Sequence, residues 1–583
     1  GDFNADATWT ESGQPSTSDH AIIGAGHNVT MTADDEVGSI KISGTITGGG
    51  NTLTVNRASS NKPFDNDGTI SGDLNVTITN TGAQQDGLLL DAMGTSGNIN
   101  DLTLNLANGT TANKTIGIAD ATTIDGDLTI TSGTFDTVFS GGSSQTLTVN
   151  GDVDVDGTLT ANASTLTFGG HSRIDGTFAR GTSTVIMDGN QGSVTNPTIR
   201  GFSSGNKLYN LICRDTATGD GVQMATDITV ENDLTIENTA SMTGYIADRV
   251  LTVEGDVVIA GIFRGNRYGT GAANSFGSLT INAGNGSTTG VFQATSGTTT
   301  ITSEGAGGGT YALYNAGTFT HNSGTLAIEI NNTTRLFMDG DNLYNLITGK
   351  TSGADSNLTY FGGSATTTTV LNNLTVLSGQ FTGYNANNLL TVHGLTNVSG
   401  TLGHISNSAT YTFNSLATIE SSGRIYTSTG TNNYNGGVRN LGTFTSDDTV
   451  TIGGTGGILE GNLDDANVNV NLDATLDFDG SDDFVTGDDA GLPSGSAARS
   501  ISMWIKPDAI TQAYGCPFSY GTKSSSNGFA ITWNNTTANF LIGKYGANSS
   551  GGSNSGANNS TIPMNAWSHF VVTVDGSGNI VYY

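Results

Sequence analysis

Only two cysteines, Cys213 and Cys516, occur in 583 residues, and they lie 303 positions apart. A disulfide-stapled scaffold needs many closely spaced pairs, so that class is excluded and both thiols are expected to stay unpaired. Proline is scarce as well, with 7 residues, and the glycines follow no strict Gly-X-Y period, which excludes collagen. No stretch of about 18 apolar residues occurs, so no transmembrane helix is expected. Lys and Arg number 20 against 51 Asp and Glu, for a net charge of −31. Nucleic acid is an unsuitable partner, because phosphate contact needs clustered cations.

What the chain does have is glycine: 84 residues, roughly twice the usual share of about 7%. Apolar residues make up 35%, and their order decides between disorder and a β-rich array. Leu-Thr-Val/Ile recurs at Leu53, Leu128, Leu147, Leu234, Leu251, Leu279, Leu374 and Leu390. Each instance sets two β-formers on one side and a Thr on the other. Gly-Thr followed by Leu, Ile or Phe recurs at Gly44, Gly68, Gly133, Gly157, Gly176, Gly317, Gly324, Gly400 and Gly442. Gaps of 24, 24 and 19 between neighbours give a repeat near twenty residues. Short strands, glycine corners and almost no helix signal predict a parallel β-helix solenoid. Leu128 and Ile130, or Val153 and Val155, would face inward, and glycines would sit at corners where a positive φ is needed.

A longer repeat overlies the short one. Leu208-Tyr209-Asn210-Leu211-Ile212 returns as Leu343-Tyr344-Asn345-Leu346-Ile347, an offset of 135. Leu234-Thr235-Ile236 and Leu374-Thr375-Val376 differ by 140, and Leu251-Thr252-Val253 and Leu390-Thr391-Val392 by 139. A duplicated multi-coil block follows. Residues 1–35 read as an N-terminal cap, 36–460 as the β-helix, 461–474 as a polar linker and 475–583 as a separate domain. Three of the four Trp and four of the seven Pro lie beyond the linker, which predicts a packed domain with aromatic anchors.

Two resemblances follow from quoted residues. Ala7-Thr8-Trp9, Pro15, Asp19, Ile22-Ile23, Gly26-His27 and Val29-Thr30 resemble the opening of surface and phage β-helix proteins. Three later motifs occur in order: Leu476-Asp477-Phe478-Asp479-Gly480 with Asp482-Asp483-Phe484-Val485; Ser500 through Pro507; and Asn565 through Gly576. They resemble the laminin-G/concanavalin A-like lectin sandwich. That family continues with further strands after the turn at 575–579, so the natural protein is expected to be longer. An intact mass of about 59.5 kDa for native material would contradict this.

The resemblance implies an all-β chain: a parallel β-helix followed by a lectin-like sandwich, incomplete at its C-terminal end. It further implies a non-enzymatic virion fibre or spike of a marine bacterial virus, in which a rigid rod presents the sandwich to host-surface glycans. Such fibres are often homotrimers, so the expected partners are further copies of the chain or other virion or surface proteins, and the location is then the virion surface or the cell exterior. Two alternatives stand beside it: a secreted bacterial or archaeal adhesin or filament protein, and a β-helix polysaccharide depolymerase.

Candidate chemistry is sparse. Asp479, Asp482 and Asp483 are the candidate metal ligands, for Ca²⁺, although Asx turns use the same pattern. No ligand-binding residue is assigned. Asp152-Val153-Asp154-Val155-Asp156-Gly157 matches half an EF-hand loop, but the twelfth position is Ala163 and alternating Val predicts a strand. Asp339, Asp341 and Arg335 are the acid pair and cation a depolymerase would want. Acids are abundant enough to pair by chance, and no catalytic residue is assigned. The seven His show no metal-ligand spacing, and Gly305–Gly309 lacks the Lys-Ser/Thr of a phosphate loop.

Overall fold

The computed structural model describes residues 1–470 apart from 12, 57–61, 81–87, 92–93, 95, 108–113, 190–195, 215–220, 284–288, 306–310, 351–357, 364–366, 386, 405–408, 428–431, 447–449, 454–458 and 462–467. Further on it describes 492–493, 497–508, 516–520, 529–533, 541–545, 563–577 and 580–582. The chain divides into two units, Gly1–Ala474 and Thr475–Tyr583.

Alternating Thr and aliphatic residues make strands of three to five residues for most of the first unit. Every named pairing there is parallel, as in His20–Ile23 on Ser39–Ile42. Each turn supplies three strands in fixed order. The first turn has His20–Ile23, Asn28–Thr30 and Asp35–Val37, which found the first, second and third faces. The third face is a thirteen-stranded ladder from Asp35–Val37 to Thr318–Thr320, followed by a seven-stranded one from Asn342–Leu343 to Val468–Val470. The long strands Leu251–Ile259 and Asn274–Ile281 each serve two faces. This joins the first face from Ile228–Val230 onward and the second face from Thr122–Ile124 onward into a sheet of 24 strands, while the earlier strands of these faces form sheets of eight and three. The unit is a β-solenoid.

Inward residues stack on their counterparts one turn away. Leu128 lies over Val153 and Ile130 over Val155, all buried, while Thr129 and Asp154 face out. Burying such a side chain stabilises by about 1.5–3 kcal/mol, and each turn repeats the contact. The N-terminal residues extend this stack: Phe3 is buried, donates its N–H to Thr30 and meets Trp9 edge-on at 5.0 Å.

Glycine has a second reason for its positions beyond φ. A Cβ at Gly68 would lie 2.2 Å from the Gly44 carbonyl oxygen, and one at Gly176 would lie 2.1 Å from that of Gly157. Neither has a positive φ. Close approach of one turn to the next is therefore what requires Gly in the Gly-Thr repeat. Inward asparagines close the same corner. The Oδ1 atoms of Asn66, Asn315 and Asn440 accept the amides of Gly68, Gly317 and Gly442.

The 135-residue duplication does not close on whole turns. Asn210–Cys213 belongs to the second face, pairing with Thr184–Met187 and Leu234–Ile236. Its copy, Asn345–Thr348, pairs with Thr325–Ile328 and Leu374–Val376 on the first face. Leu251–Val253 lies on the first face and its copy Leu390–Val392 on the third. Along the second face the chain passes Leu234, Val257, Leu279, Leu313 and Leu336, five turns, before two further strands reach Asn345. The copy is thus rotated by one face. A strand, rather than a turn, is the interchangeable unit.

In the second unit, Arg499–Ile505 and Ser568–Val574 pair antiparallel, with Ile580–Tyr582 at the edge of Ser568–Val574. A second antiparallel sheet contains Phe518–Tyr520, Phe529–Trp533 and Leu541–Tyr545. Phe529 and Ile531 of one sheet form a core with Phe570, Val572 and Val574 of the other. Ile501, Met503 and Ile505 pack against it. Two sheets face to face make a β-sandwich.

Candidate functional sites

The candidate Ca²⁺ ligands Asp479, Asp482 and Asp483 lie outside the described residues. The other sequence candidates can be placed. Val153 and Val155 point inward from a short strand and Asp154 points out. Asp152 Oδ1 accepts the His171 amide at 2.7 Å, and Arg173 reaches Asp154 at 2.8 Å and Asp156 at 3.5 Å. The run is a strand, as the alternating valines indicated, and its carboxylates have protein partners.

Asp152 is one step of a longer corner ladder. Asn75 Oδ1 accepts the Asp101 amide, Asp101 that of Asp127, and Asp127 that of Asp152. His171 Nδ1 continues it by accepting the Thr198 amide. In the duplicated blocks Asn210 serves Asp233, which serves Asp256, while Asn345 serves Asn373, which serves Leu395. Part of the acid excess therefore satisfies backbone donors of the next turn, a role equally open to Asn. This signal was legible as Asp or Asn recurring just before the Leu-Thr motif.

A cleft of about 340 Å³ is lined by Asp127, Asp152, Asp154, His171, Arg173 and Arg200, among others. Its charges answer one another. Arg173 is held above the usual guanidinium range first by Asp175 and then by Asp154, and Arg200 meets Asp175 at 3.1 Å. A second acidic group, Asp65, Asp67 and Asp91, brings three carboxylates within 4.8 Å. Sequence reasoning missed it, because the third acid comes from the following turn. Lys41 reaches Asp65 at 2.8 Å and Asp67 at 2.6 Å, and Lys62 reaches Asp91 at 3.0 Å. Hydrogen bonds donated to Asp65 and then Asp67 push the Lys41 ammonium above the ordinary lysine range, and Lys41 lowers the Asp67 carboxyl. The group is an ion-pair network.

Asp339, Asp341 and Arg335 are not joined by any ion pair among the described residues. Asp341 accepts the Phe319 amide and Asn315 Nδ2 at 3.0 Å. Arg335 instead donates to the Tyr384 hydroxyl at 2.7 Å. Cys213 is buried, Cys516 exposed, and neither forms a disulfide.

The aromatic anchors of the second unit's core are Phe529 and Phe570, whereas two of its tryptophans face out. Trp504 is 62% and Trp567 50% exposed. Ile501, Met503 and Ile505 take the inward face of their strand, so period-two geometry turns Trp504 outward. Its ring stacks on His569 at 5.0 Å, and His569 Nε2 meets Ser502 Oγ at 2.7 Å. The outer face of this sheet therefore displays an aromatic surface.

Among the described residues no helix is long and apolar enough to cross a membrane. Neither a curated protein nor a solved structure matches the chain. Residues 479–583 match the Laminin_G_3 family, described as the concanavalin A-like lectin/glucanases superfamily, so a β-solenoid here precedes a concanavalin A-like domain.

Proposed function

We propose that the protein is a non-catalytic attachment protein, a virion fibre or spike of a bacterial virus whose concanavalin A-like domain binds glycans on the host surface. The match over residues 479–583 carries this reading, because it puts a lectin-related domain on a chain otherwise built as a solenoid. Trp504 and Trp567 support it: exposed rings suit the apolar faces of sugars. The self-neutralised carboxylates of the Arg173 cleft support the non-catalytic part. An acid already paired with a guanidinium is poorly placed to deliver a proton.

Ca²⁺ at Asp479, Asp482 and Asp483 belongs to this proposal, as does assembly into a homo-oligomer. A glycan array probed with the full chain, with Ca²⁺ and then with chelator, tests the binding. No bound glycan in either condition would overturn the lectin role, and binding unaffected by chelator would remove Ca²⁺ alone. Proteomics of purified virions against cell envelopes tests the location. Detection only in envelopes replaces the virion reading with a cell-surface adhesin. New reducing ends or unsaturated sugars released from host polysaccharide would make the chain a depolymerase instead.

A further inference from the structure

The second face changes character part-way along the solenoid. Thr280 lies opposite Tyr314, and Tyr314 opposite Phe337. Tyr311–Asn315 carries a register shift between Tyr311 and Leu313 and buries both Ala312 and Leu313. The bulge therefore turns Tyr311 and Tyr314 outward together. On the next strand Thr334, Leu336 and Met338 point in, leaving Arg335 and Phe337 outside. Tyr360 follows opposite Arg335, and Tyr384 lies one level further, its amide bonded to the Phe361 carbonyl.

These side chains form one continuous wall. Tyr314 and Phe337 stack at 5.1 Å with 18° between planes, and Tyr311 meets Tyr314 at 5.1 Å. The Arg335 guanidinium lies 3.7 Å from the Tyr384 ring centre and 5.7 Å from that of Tyr311. Tyr360 meets Tyr384 edge-on at 5.5 Å. All six side chains are half-buried, so each keeps part of its surface in solvent. Four levels at about 4.8 Å spacing extend the wall over about 14 Å, a length that suits an oligosaccharide rather than one sugar.

Stapling the turns together does not account for the wall. Phe361 and Phe381, buried and 5.1 Å apart at two of the wall's levels, already do that from inside the solenoid. Charge is the second observation. Lys41, Lys62, Arg173, Arg180, Arg200, Lys207 and Arg214 all meet carboxylates. Arg335 is held instead by a hydroxyl and two ring faces, in a chain of net charge −31. A guanidinium so placed has N–H donors beyond the one given to Tyr384 and lies beside apolar surface, where attraction to an anion is screened less than in open water.

We infer that this wall binds an acidic polysaccharide: its C–H groups pack along the exposed ring edges and free faces of Tyr314, Phe337, Tyr360 and Tyr384, and Arg335 takes a carboxylate or sulfate substituent. The site lies wholly in the solenoid and does not depend on the proposed role of the C-terminal domain.

The test is affinity electrophoresis of the full chain in polygalacturonate, in its fully methyl-esterified form and in a sulfated galactan. The parent protein is retarded by at least one of the two acidic polymers, more than by the ester. Arg335→Gln weakens that retardation at least tenfold and leaves any retardation by the ester unchanged. Arg335→Lys restores part of it, because charge returns without the planar fork. Phe337→Ala weakens both kinds of binding, with circular dichroism and melting confirming the fold. Trp504→Ala with Trp567→Ala leaves the wall's binding intact. No retardation of the parent by either acidic polymer overturns the inference. So does retardation unchanged by Arg335→Gln, which would leave the lectin proposal standing.

Discussion

The solenoid fastens its turns in two ways. Every ion pair among the described residues falls between Lys41 and Glu254, and most link one turn to another, as Arg173 with Asp154 and Arg214 with Glu237 do. Among the described residues before Phe263, ring contacts are limited to Phe3–Trp9 and Phe178–Phe202. From Phe263 to Phe444 rings take over: Phe263, Phe292 and Phe319 stack inside, and Phe361, Tyr411, Phe413, Tyr434 and Phe444 form a second run. The backbone ladder is parallel in both regions. Backbone hydrogen bonds thus define the solenoid, while side chains set how each region answers salt, pH and mutation.

The largest difference is expected from a core ring. Phe361 is fully buried, 5.1 Å from Phe381 and 5.8 Å from Tyr411. Phe361→Ala should cost about 3–5 kcal/mol, read by denaturant unfolding; a loss below about 1 kcal/mol would end the claim that rings hold this region.

Alkali should separate the regions next. Burial holds the Tyr411 and Tyr434 hydroxyls above the usual tyrosine range. The folded chain keeps these protons at a pH where the unfolded chain, with a pKa of about 10, releases them. Stability is therefore intact below about pH 10 and falls above it, with the ring-rich region opening first. Tyrosinate absorbance should rise with loss of ellipticity, and Tyr411→Phe with Tyr434→Phe should remove the coincidence.

A smaller effect concerns the corner ladder. Asp127→Ala leaves the Asp152 amide without its acceptor and should cost about 0.5–1 kcal/mol. Asp127→Asn should cost almost nothing, since Oδ1 still accepts; equal losses in denaturant midpoint would show that charge, rather than the hydrogen bond, matters.

The smallest shift is expected at Lys41. The Asp67 carboxyl is lowered by Lys41, so its contribution is present above the unfolded carboxylate pKa of about 3.9 and is lost as pH falls through the folded value. Salt weakens the same exposed pair. Lys41→Met should flatten the acid-side decline slightly in a melting series, and no change in that limb would place the acid response elsewhere.

Much of this was legible in residue order. Leu128, Ile130, Val153 and Val155 showed their inward direction through period-two alternation, and Gly44, Gly68 and Gly176 marked corners. Trp504 was legible too, since Ile501, Met503 and Ile505 already claim the inward face of its strand; counting tryptophans obscured that. Arg335 was not. Its partners come from residues 311 and 384, and a bulge at Ala312–Leu313 decides which tyrosines face it. Asp91 joins Asp65 and Asp67 only because the chain returns there one turn later.

By itself the sequence determined the class of structure: short alternating strands, glycine corners, a duplicated block and a concanavalin A-like tail. Those features are local or periodic, and backbone sterics with side-chain alternation suffice to read them. Tertiary structure decided which face each strand occupies, that the duplicate is rotated by one face, which acids bond to amides or cations, and where rings gather outside. Each of these depends on the number of residues in intervening turns, and a change of one strand moves every later motif to a different neighbour.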